Sequence, residues 1–323
     1  MPASTTVSIV IPAFNVREYI DETLTSIWKQ RYRDYAVIVV DDGSTDGLKQ
    51  HLETQYGERL TVIRQENRGL SAARNTGIRA WQSPYVFFLD GDDLILPDHL
   101  EALVTALDRS PRMDVVFTDH VRFVDHPDNQ FEHVWGDKPE GGREMWPLFI
   151  KSNPIAIGTA MVRRAVIDRF GMFDESMGNY CADWDLWFGL AMHGASFLYL
   201  DRKSALYRQR AGNLSSNLAG AARGDLMVME RAYERARRLQ HPALALLPKA
   251  IALRHYCLAR ALLLEGKRVE AIRHLLTSIR KDPTFSWKRR YVLLSAALLM
   301  PAAVVRRCWR FNRAMVPVRK PSN

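Results

Sequence analysis

The sequence predicts an α/β protein in which a mostly parallel central sheet, flanked by helices, is followed by an all-α C-terminal region. Three observations carry this. Strand-type and helix-type patterns alternate from residue 1 to about 120, the rhythm of a parallel sheet with helices on both faces. The run Tyr35–Val40 is continuously apolar, as in a strand covered on both sides. From about Asn217 the pattern is helical throughout. The charge also divides near that point. Residues 203–323 carry 25 Lys and Arg against 6 Asp and Glu, whereas residues 1–202 carry 20 against 30. A split of that size marks regions with different work.

The first strand is the β-rich run Val7-Ser8-Ile9-Val10-Ile11-Pro12. Residues 17–30 have helical periodicity, with Ile20, Leu24, Ile27 and Trp28 on one face. The apolar run Tyr35–Val40 is the second strand and ends at Asp41-Asp42-Gly43-Ser44. A polar helix follows, for which Ser44 or Thr45 is the expected cap. Leu60–Ile63 is a third strand, and Leu70–Ala80 a helix whose small residues allow close approach to the sheet. Tyr85–Leu89 is a fourth strand, ending in Asp90-Gly91-Asp92-Asp93. Further strands are expected at Val115–Thr118, Ala156–Val162, Ser196–Leu200 and Ala205–Tyr207, with a helix at Asp183–His193. Residues 124–144 are polar, with Pro and Gly, and read as a long loop of the kind that often serves function.

In the C-terminal region, Ala259, Leu262, Leu263, Gly266, Ala271, Leu275, Leu276 and Ile279 are spaced as in one tetratricopeptide-like hairpin, without a second copy. Tyr291–Val305 is an apolar run between Lys288-Arg289-Arg290 and Arg306-Arg307. It is shorter than the ~20 residues of a membrane-spanning helix. It fits an amphipathic tail in a membrane interface, or a core helix. Cys181, Cys257 and Cys308 are scattered and odd in number, which fits a reducing cytoplasm better than a disulfide framework. The start, MPASTTVSIV, lacks a basic n-region, so no signal peptide is expected. A pI near 9.6 raises nucleic acid as a partner. The acidic N-terminal part and the apolar stretch within the basic tail argue against it.

In sheets of this kind, ligands sit beyond the carboxyl ends of the strands. Three polar features converge there: Pro12-Ala13-Phe14-Asn15, Asp41-Asp42-Gly43-Ser44 and Asp90-Gly91-Asp92-Asp93. Carboxylates gather at a strand end either to hold a divalent cation or to handle protons. Asp90 and Asp92, two apart across Gly91, can converge on one hard cation, and the usual companion of such a cation is a diphosphate. Alone, such a pair is common by chance and is more readily a solvated turn. Arg74, in the helix that begins at Leu70, is in a position to reach a phosphate. His120, His126 and His133 lie among Asp119, Asp125 and Asp128, but their spacing matches no metal site, and they read as a polar loop.

The segments VSIVIPAFN, VVDDGSTD, ENRGLSAARNTGI and FLDGDD, in this order and spacing, resemble the family 2 glycosyltransferases. The resemblance continues through Gly158–Arg164, Gly171–Glu175, Ala182–Trp187 and Tyr207-Arg208, and so covers roughly residues 5–215. It implies a GT-A fold, with a Rossmann-like nucleotide half at about 1–120 and an acceptor half at about 121–215. Residues 216–323 form an extension outside it. At matching positions, Pro12, Phe14 and Asn15 are expected in the first nucleotide loop. Asp42 is expected to hold the base, and Arg74 to stand near base or phosphates. Asp90 and Asp92 match the metal-and-sugar motif, with Asp92 the direct ligand of Mn²⁺ or Mg²⁺, and Asp93 is expected to cap the following turn. Asp183 matches the catalytic base, and Trp184 is a candidate for stacking on the acceptor.

Two positions depart from the family pattern. Ala182 stands where an acid often precedes the base. Asp185 is a rival base, but two residues along a helix it faces elsewhere. Arg210 falls near the place where a His often follows the Tyr-Arg pair; it cannot ligate a metal but can pair with a diphosphate. The expected activity is inverting, metal-dependent transfer from a nucleotide-sugar, a UDP-sugar first, to a glycan or lipid-linked hydroxyl in cell-surface polysaccharide assembly. The expected place is the cytoplasm, with the basic tail attaching to the inner membrane face. A sugar nucleotidyltransferase would share the sheet and the acids, but it needs a glycine-rich phosphate loop after the first strand, and Pro12–Tyr19 has no glycine. A degenerate binding module is the third alternative.

Overall fold

The computed structural model describes residues 5–124, 126–128, 130–131, 142, 144–210 and 217–283. Strand β1 (Val7–Ala13) is buried along its whole length and sits at the centre of a parallel group. On one side it pairs with β2 (Tyr35–Asp41), which pairs in turn with β3 (Thr61–Arg64). On the other side lies β4 (Tyr85–Phe88). Beyond β4 the sheet is mixed. Strand β8 (Ala160–Arg163) runs antiparallel to β4 and to β6 (Val115–Val124). Strand β9 (Phe197–Gln209) runs parallel to β6, and β5 (Leu94–Ile95) antiparallel to β9. The order is β3-β2-β1-β4-β8-β6-β9-β5, with β7 (Gln130–Phe131) paired to β6.

Alternation along the strands sorts the core into two layers. Val7, Ile9, Ile11 and Phe87 face the layer that holds α1 (Ile20–Trp28), α2 (Leu48–Tyr56) and α4 (His99–Arg109). Val10, Val86 and Phe88 face the opposite one. That layer holds α3 (Leu70–Ala80), α5 (Trp146–Lys151), α6 (Arg164–Phe170) and α7 (Ala182–Met192). It continues without a break into the C-terminal helices α8 (Leu218–Leu239), α9 (Leu247–Leu264) and α10 (Arg268–Lys281). Gly266, at φ +84°, makes the turn between α9 and α10, which form the expected helical hairpin. Among the described residues no helix is long and apolar enough to cross a membrane. The apolar run Tyr291–Val305 lies outside the described residues, as does most of the loop 124–144.

Small residues bring α3 onto the sheet. A Cβ on Gly77 would stand 2.4 Å from Val10 Cγ1, and Val is stiff at χ1. Gly77→Ala is therefore expected to destabilise by about 1–3 kcal/mol through overpacking. The ~1 kcal/mol by which Ala ordinarily outranks Gly inside a helix acts in the opposite direction. Urea unfolding checks the sign. A gain in stability would show that α3 can lift off β1 at little cost.

Three local expectations are corrected. The segments Ser196–Leu200 and Ala205–Tyr207 belong to one strand, β9, whose partner β6 changes register at Thr118–His120 to carry it past the polar residues 201–203. Residues 157–159 form a 3₁₀ turn rather than the start of a strand. Ser44 and Thr45 do not cap α2. Gly47 precedes it at φ +79°, and the carboxylate of Asp46 accepts from Leu48 N–H.

Candidate active site

The three polar loops predicted at the strand ends meet in the structure. Asp42 N–H donates to the Ala13 carbonyl at 2.8 Å, which ties the second loop to the first. Asn15, at φ +53°, donates its N–H to Ser44 Oγ and accepts from Thr45 N–H at 2.8 Å. Pro12 lies within β1 opposite Val40, and the Phe14 ring is 47% exposed at the loop tip. Asp41 is buried against Arg64 and accepts from Ser44 N–H. Asp42 accepts from Gln65 Nε2 at 2.7 Å, Arg68 N–H at 2.9 Å and Gly69 N–H at 2.8 Å. Three donors on a buried carboxylate fix the loop that leads into α3. Gly69, at φ +88°, occupies a conformation that favours glycine.

The acidic turn follows β4. Asp93 N–H donates to the Asp90 carbonyl at 3.1 Å and closes it. Gly91 is closely packed: a Cβ there would stand 3.0 Å from Val16 Cγ2. Asp93 does not cap the turn. It is buried and accepts from Arg208 N–H at 2.8 Å, which anchors β9. Burial, and then repulsion from Asp92 and Asp90, pushes its carboxyl well above the ordinary range.

Two arginines of β9 and its exit clamp the same turn. Arg208 Nε donates to the Asp92 carbonyl at 2.7 Å, and its Nη2 to Glu22 at 2.7 Å. Its guanidinium stacks near Phe123 and Tyr19. Arg210 Nε donates to Asp92 Oδ2 at 2.7 Å. Burial raises the Asp92 carboxyl, Asp90 raises it further, and Arg210 opposes both. Asp90 accepts from Arg74 Nη2 at 2.7 Å. The Arg74 side chain is 3% exposed, and its Nε has no hydrogen-bond partner among the described residues.

Asp183 lies in the first turn of α7, where the helix dipole favours a carboxylate. Asn153 Nδ2 donates to its Oδ2 at 2.9 Å. Protein atoms crowd Asp183, and this burial pushes its carboxyl up, against the opposing pull of Arg74; Asp90 adds to the rise. Arg74 therefore acts on both Asp90 and Asp183, which brings Asp92, Asp90, Arg74 and Asp183 into one electrostatic cluster. Asp185 points the other way, 4% exposed, with Arg235 of α8 at 3.4 Å.

Trp184 does not present a face to a sugar. It is 4% exposed, and its indole N–H donates to the Phe149 carbonyl at 3.0 Å. Arg254 of α9 stacks over the ring at 5.1 Å and donates to the Lys151 carbonyl at 2.6 Å. Its neighbour Trp187 is fully buried. Asn153 and Arg254 carried no sequence signal, since an Asn before a Pro and an Arg in a helix are both ordinary. Arg208 sat in a noted Tyr-Arg pair, but its anchoring of the acidic turn spans more than a hundred residues and leaves no local trace.

The model of the family described as Glycosyl transferase family 2 matches residues 8–171. The chain belongs to that family. It is 28% identical over 217 residues to an uncharacterised glycosyltransferase of Rickettsia prowazekii, covering 65% of this chain and 67% of the relative. It is 34% identical over 133 residues to the glycosyltransferase GlyA of Streptococcus pneumoniae, covering 41% of this chain and 19% of that one. The fold is similar to that of S. aureus TarS 1-349 in complex with UDP-GlcNAc. The TM-score is 0.67 at 21% identity, over 95% of this chain and 92% of the other. It is also similar to a mannosyltransferase from Pyrobaculum calidifontis in complex with GDP-Man and Mn²⁺. Here the TM-score is 0.57 at 21% identity, over 96% and 88% of the two chains. These likenesses establish the GT-A architecture of this family 2 member, including its appended helices. The family match ends before Asp183 and Arg210, so Arg210 stands on its contact with Asp92, and Asp183 on its bond from Asn153 and the nearby charges of Arg74 and Asp90.

Proposed function

We propose that this chain is an inverting glycosyltransferase that moves a sugar from a nucleoside-diphosphate donor to a hydroxyl of a glycan or lipid-linked acceptor. The work proposed is cell-surface polysaccharide assembly at the inner membrane face. Residues 1–215 would form the transferase domain and 216–323 its helical extension. The observation that carries the reading is the cluster of Asp92, Asp90, Arg74 and Asp183 beyond the carboxyl ends of the parallel strands of a family 2 chain.

In this reading Pro12, Phe14 and Asn15 line the nucleotide loop, with the exposed Phe14 ring against the base. Asp42 accepts at the base edge through the lone pair that its three donors leave. Arg74 and Arg210 turn from the carboxylates to the diphosphate oxygens. Asp183 takes the proton of the acceptor hydroxyl. The acceptor oxygen bonds to the anomeric carbon, and the diphosphate oxygen leaves with the electron pair of the broken bond. Configuration inverts because attack and departure lie on opposite faces.

Asp92 and Asp90 suit a hard divalent cation. Both supply oxygen, and burial with mutual repulsion raises Asp92 in a way that a cation would relieve. Among the described residues no three His, Cys, Asp or Glu side chains form a cage for a metal. Two carboxylates suffice for an ion that completes its shell with substrate phosphates and water. Mn²⁺ or Mg²⁺ held there would offset charge on the departing diphosphate.

Thermal shift with UDP, GDP, CDP and dTDP, each with Mn²⁺, Mg²⁺ or EDTA, tests the donor site. UDP leads the series because the TarS complex holds UDP-GlcNAc on the same fold. A diphosphate at a hundred times its Kd adds about 2.7 kcal/mol. The expected result is stabilisation by one nucleotide, lost in EDTA and in Asp92→Ala. No shift with any nucleotide would overturn the reading.

A further inference from the structure

Helix α10 has two apolar faces, and only one is used. At about 100° per residue, Ala271, Leu275 and Ser278 fall on one arc and are buried. Val269, Ile272 and Leu276 fall on a second arc, roughly 120° round the helix. They are 74%, 44% and 48% exposed. A stripe of three large aliphatic side chains on one face differs from scattered surface apolar residues. Exposed Arg273 and Arg280 lie along one edge of this stripe. The one acid of the helix, Glu270, lies round the far side and pairs with Arg223 of α8.

We propose that this outer face of α10 docks on an anionic lipid surface, with Val269, Ile272 and Leu276 entering the headgroup boundary and the arginines meeting lipid phosphate. The inference deepens the reading that the chain works at a membrane face. Charge selects the partner. The chain after residue 283 carries nine Lys and Arg and no Asp or Glu. Its cations bracket the apolar run Tyr291–Val305 and oppose the laying of that run along a stripe edged by arginines, and a second copy of the chain would bring the same cations. An anionic bilayer complements both the helix and the segment that follows it. An apolar stripe edged by cations is the composition that lies in an interface rather than across one.

The test is co-sedimentation of the full chain with vesicles of phosphatidylcholine alone and with phosphatidylglycerol mixed in. Binding is expected only to the anionic vesicles and is expected to weaken with salt. The triple variants V269E/I272E/L276E and V269S/I272S/L276S should each lose at least tenfold in affinity. Circular dichroism and nucleotide thermal shift should be unchanged. The serine set separates lost apolar contact from added negative charge. If both triples bind as the wild type does while R306Q/R307Q/R310Q loses binding, the tail docks alone and the α10 proposal fails. If the triples change the sedimentation state of the free protein and not vesicle binding, the face is a protein interface and the proposal fails. If the wild type binds neither vesicle, the membrane reading fails with it, whereas the nucleotide thermal shift still tests the transferase reading.

Discussion

Asp183→Asn is expected to lower sugar transfer about 10²–10⁴-fold, the usual worth of one general base. Nucleotide binding should be unchanged. Asn is nearly isosteric, and its amide oxygen can still accept from Asn153 Nδ2. None of the hydrogen bonds that shape the loops at Asn15 and Asp42 involves Asp183. Burial raises the Asp183 carboxyl, so the acid limb of the rate profile should lie above the ordinary carboxylate range. A base must be ionised to work, and activity falls as pH falls through that raised value. The same shift has a consequence for stability. The unfolded carboxyl ionises at its ordinary value, whereas the folded one ionises only at a higher pH. Stability from this group is therefore present below the unfolded value and is lost as pH rises through the folded one. Asp183→Asn removes that loss, so the variant should be at least as stable as wild type at pH 7 while nearly inactive. Initial rates and thermal midpoints between pH 5 and 8 check both parts. Turnover equal to wild type would remove Asp183 as the base.

The parallel half of the sheet was legible because each strand there is a short run rich in β-branched and apolar residues that ends at polar ones. Residues Leu70–Ala80 form the expected helix, since Gly69 begins it and its small residues mark a close approach. The polar loops at Asn15, Asp42 and Asp90 could be placed at strand ends because parallel topology leaves them nowhere else. Side-chain direction was less legible. Asp93 looks like a turn residue, yet it holds Arg208, 115 positions away. Trp184 sits beside Asp183 in sequence, and helical rotation sends one into the core and the other toward Arg74. Polar residues 201–203 read as a break between strands, because a register shift in the partner strand is a property of the pair and not of either sequence. The Ala182 departure leaves the first turn of α7 with Asp183 and Asp185 as its acids. The structure separates these two by giving Asp185 a partner on a helix beyond residue 217.

That partner supplies the second large effect. Arg235→Met is expected to destabilise the chain by about 3–5 kcal/mol, the cost of leaving a buried ion without its partner. Asp185 is 4% exposed and Arg235 18%. The guanidinium lies flat over α7, where a Cβ on Gly189 would stand 3.2 Å from its Cζ. Water has little room to replace it. Nearby contacts fix α8 to the same part of the fold: Cys181 Sγ donates to Asp225 at 3.4 Å, and Arg231 pairs with Asp174. The double variant Arg235→Met with Asp185→Leu removes both charges and keeps the branched shape at 185 and much of the side-chain length at 235. It should recover most of the loss, since apolar replacement of a buried pair is often neutral. Urea unfolding of the wild type, the two single variants and the double variant closes the cycle. A single-variant loss below about 1 kcal/mol, the range of exposed pairs, would mean that water screens the pair. Apolar packing alone would then hold α8 against the helix that carries Asp183.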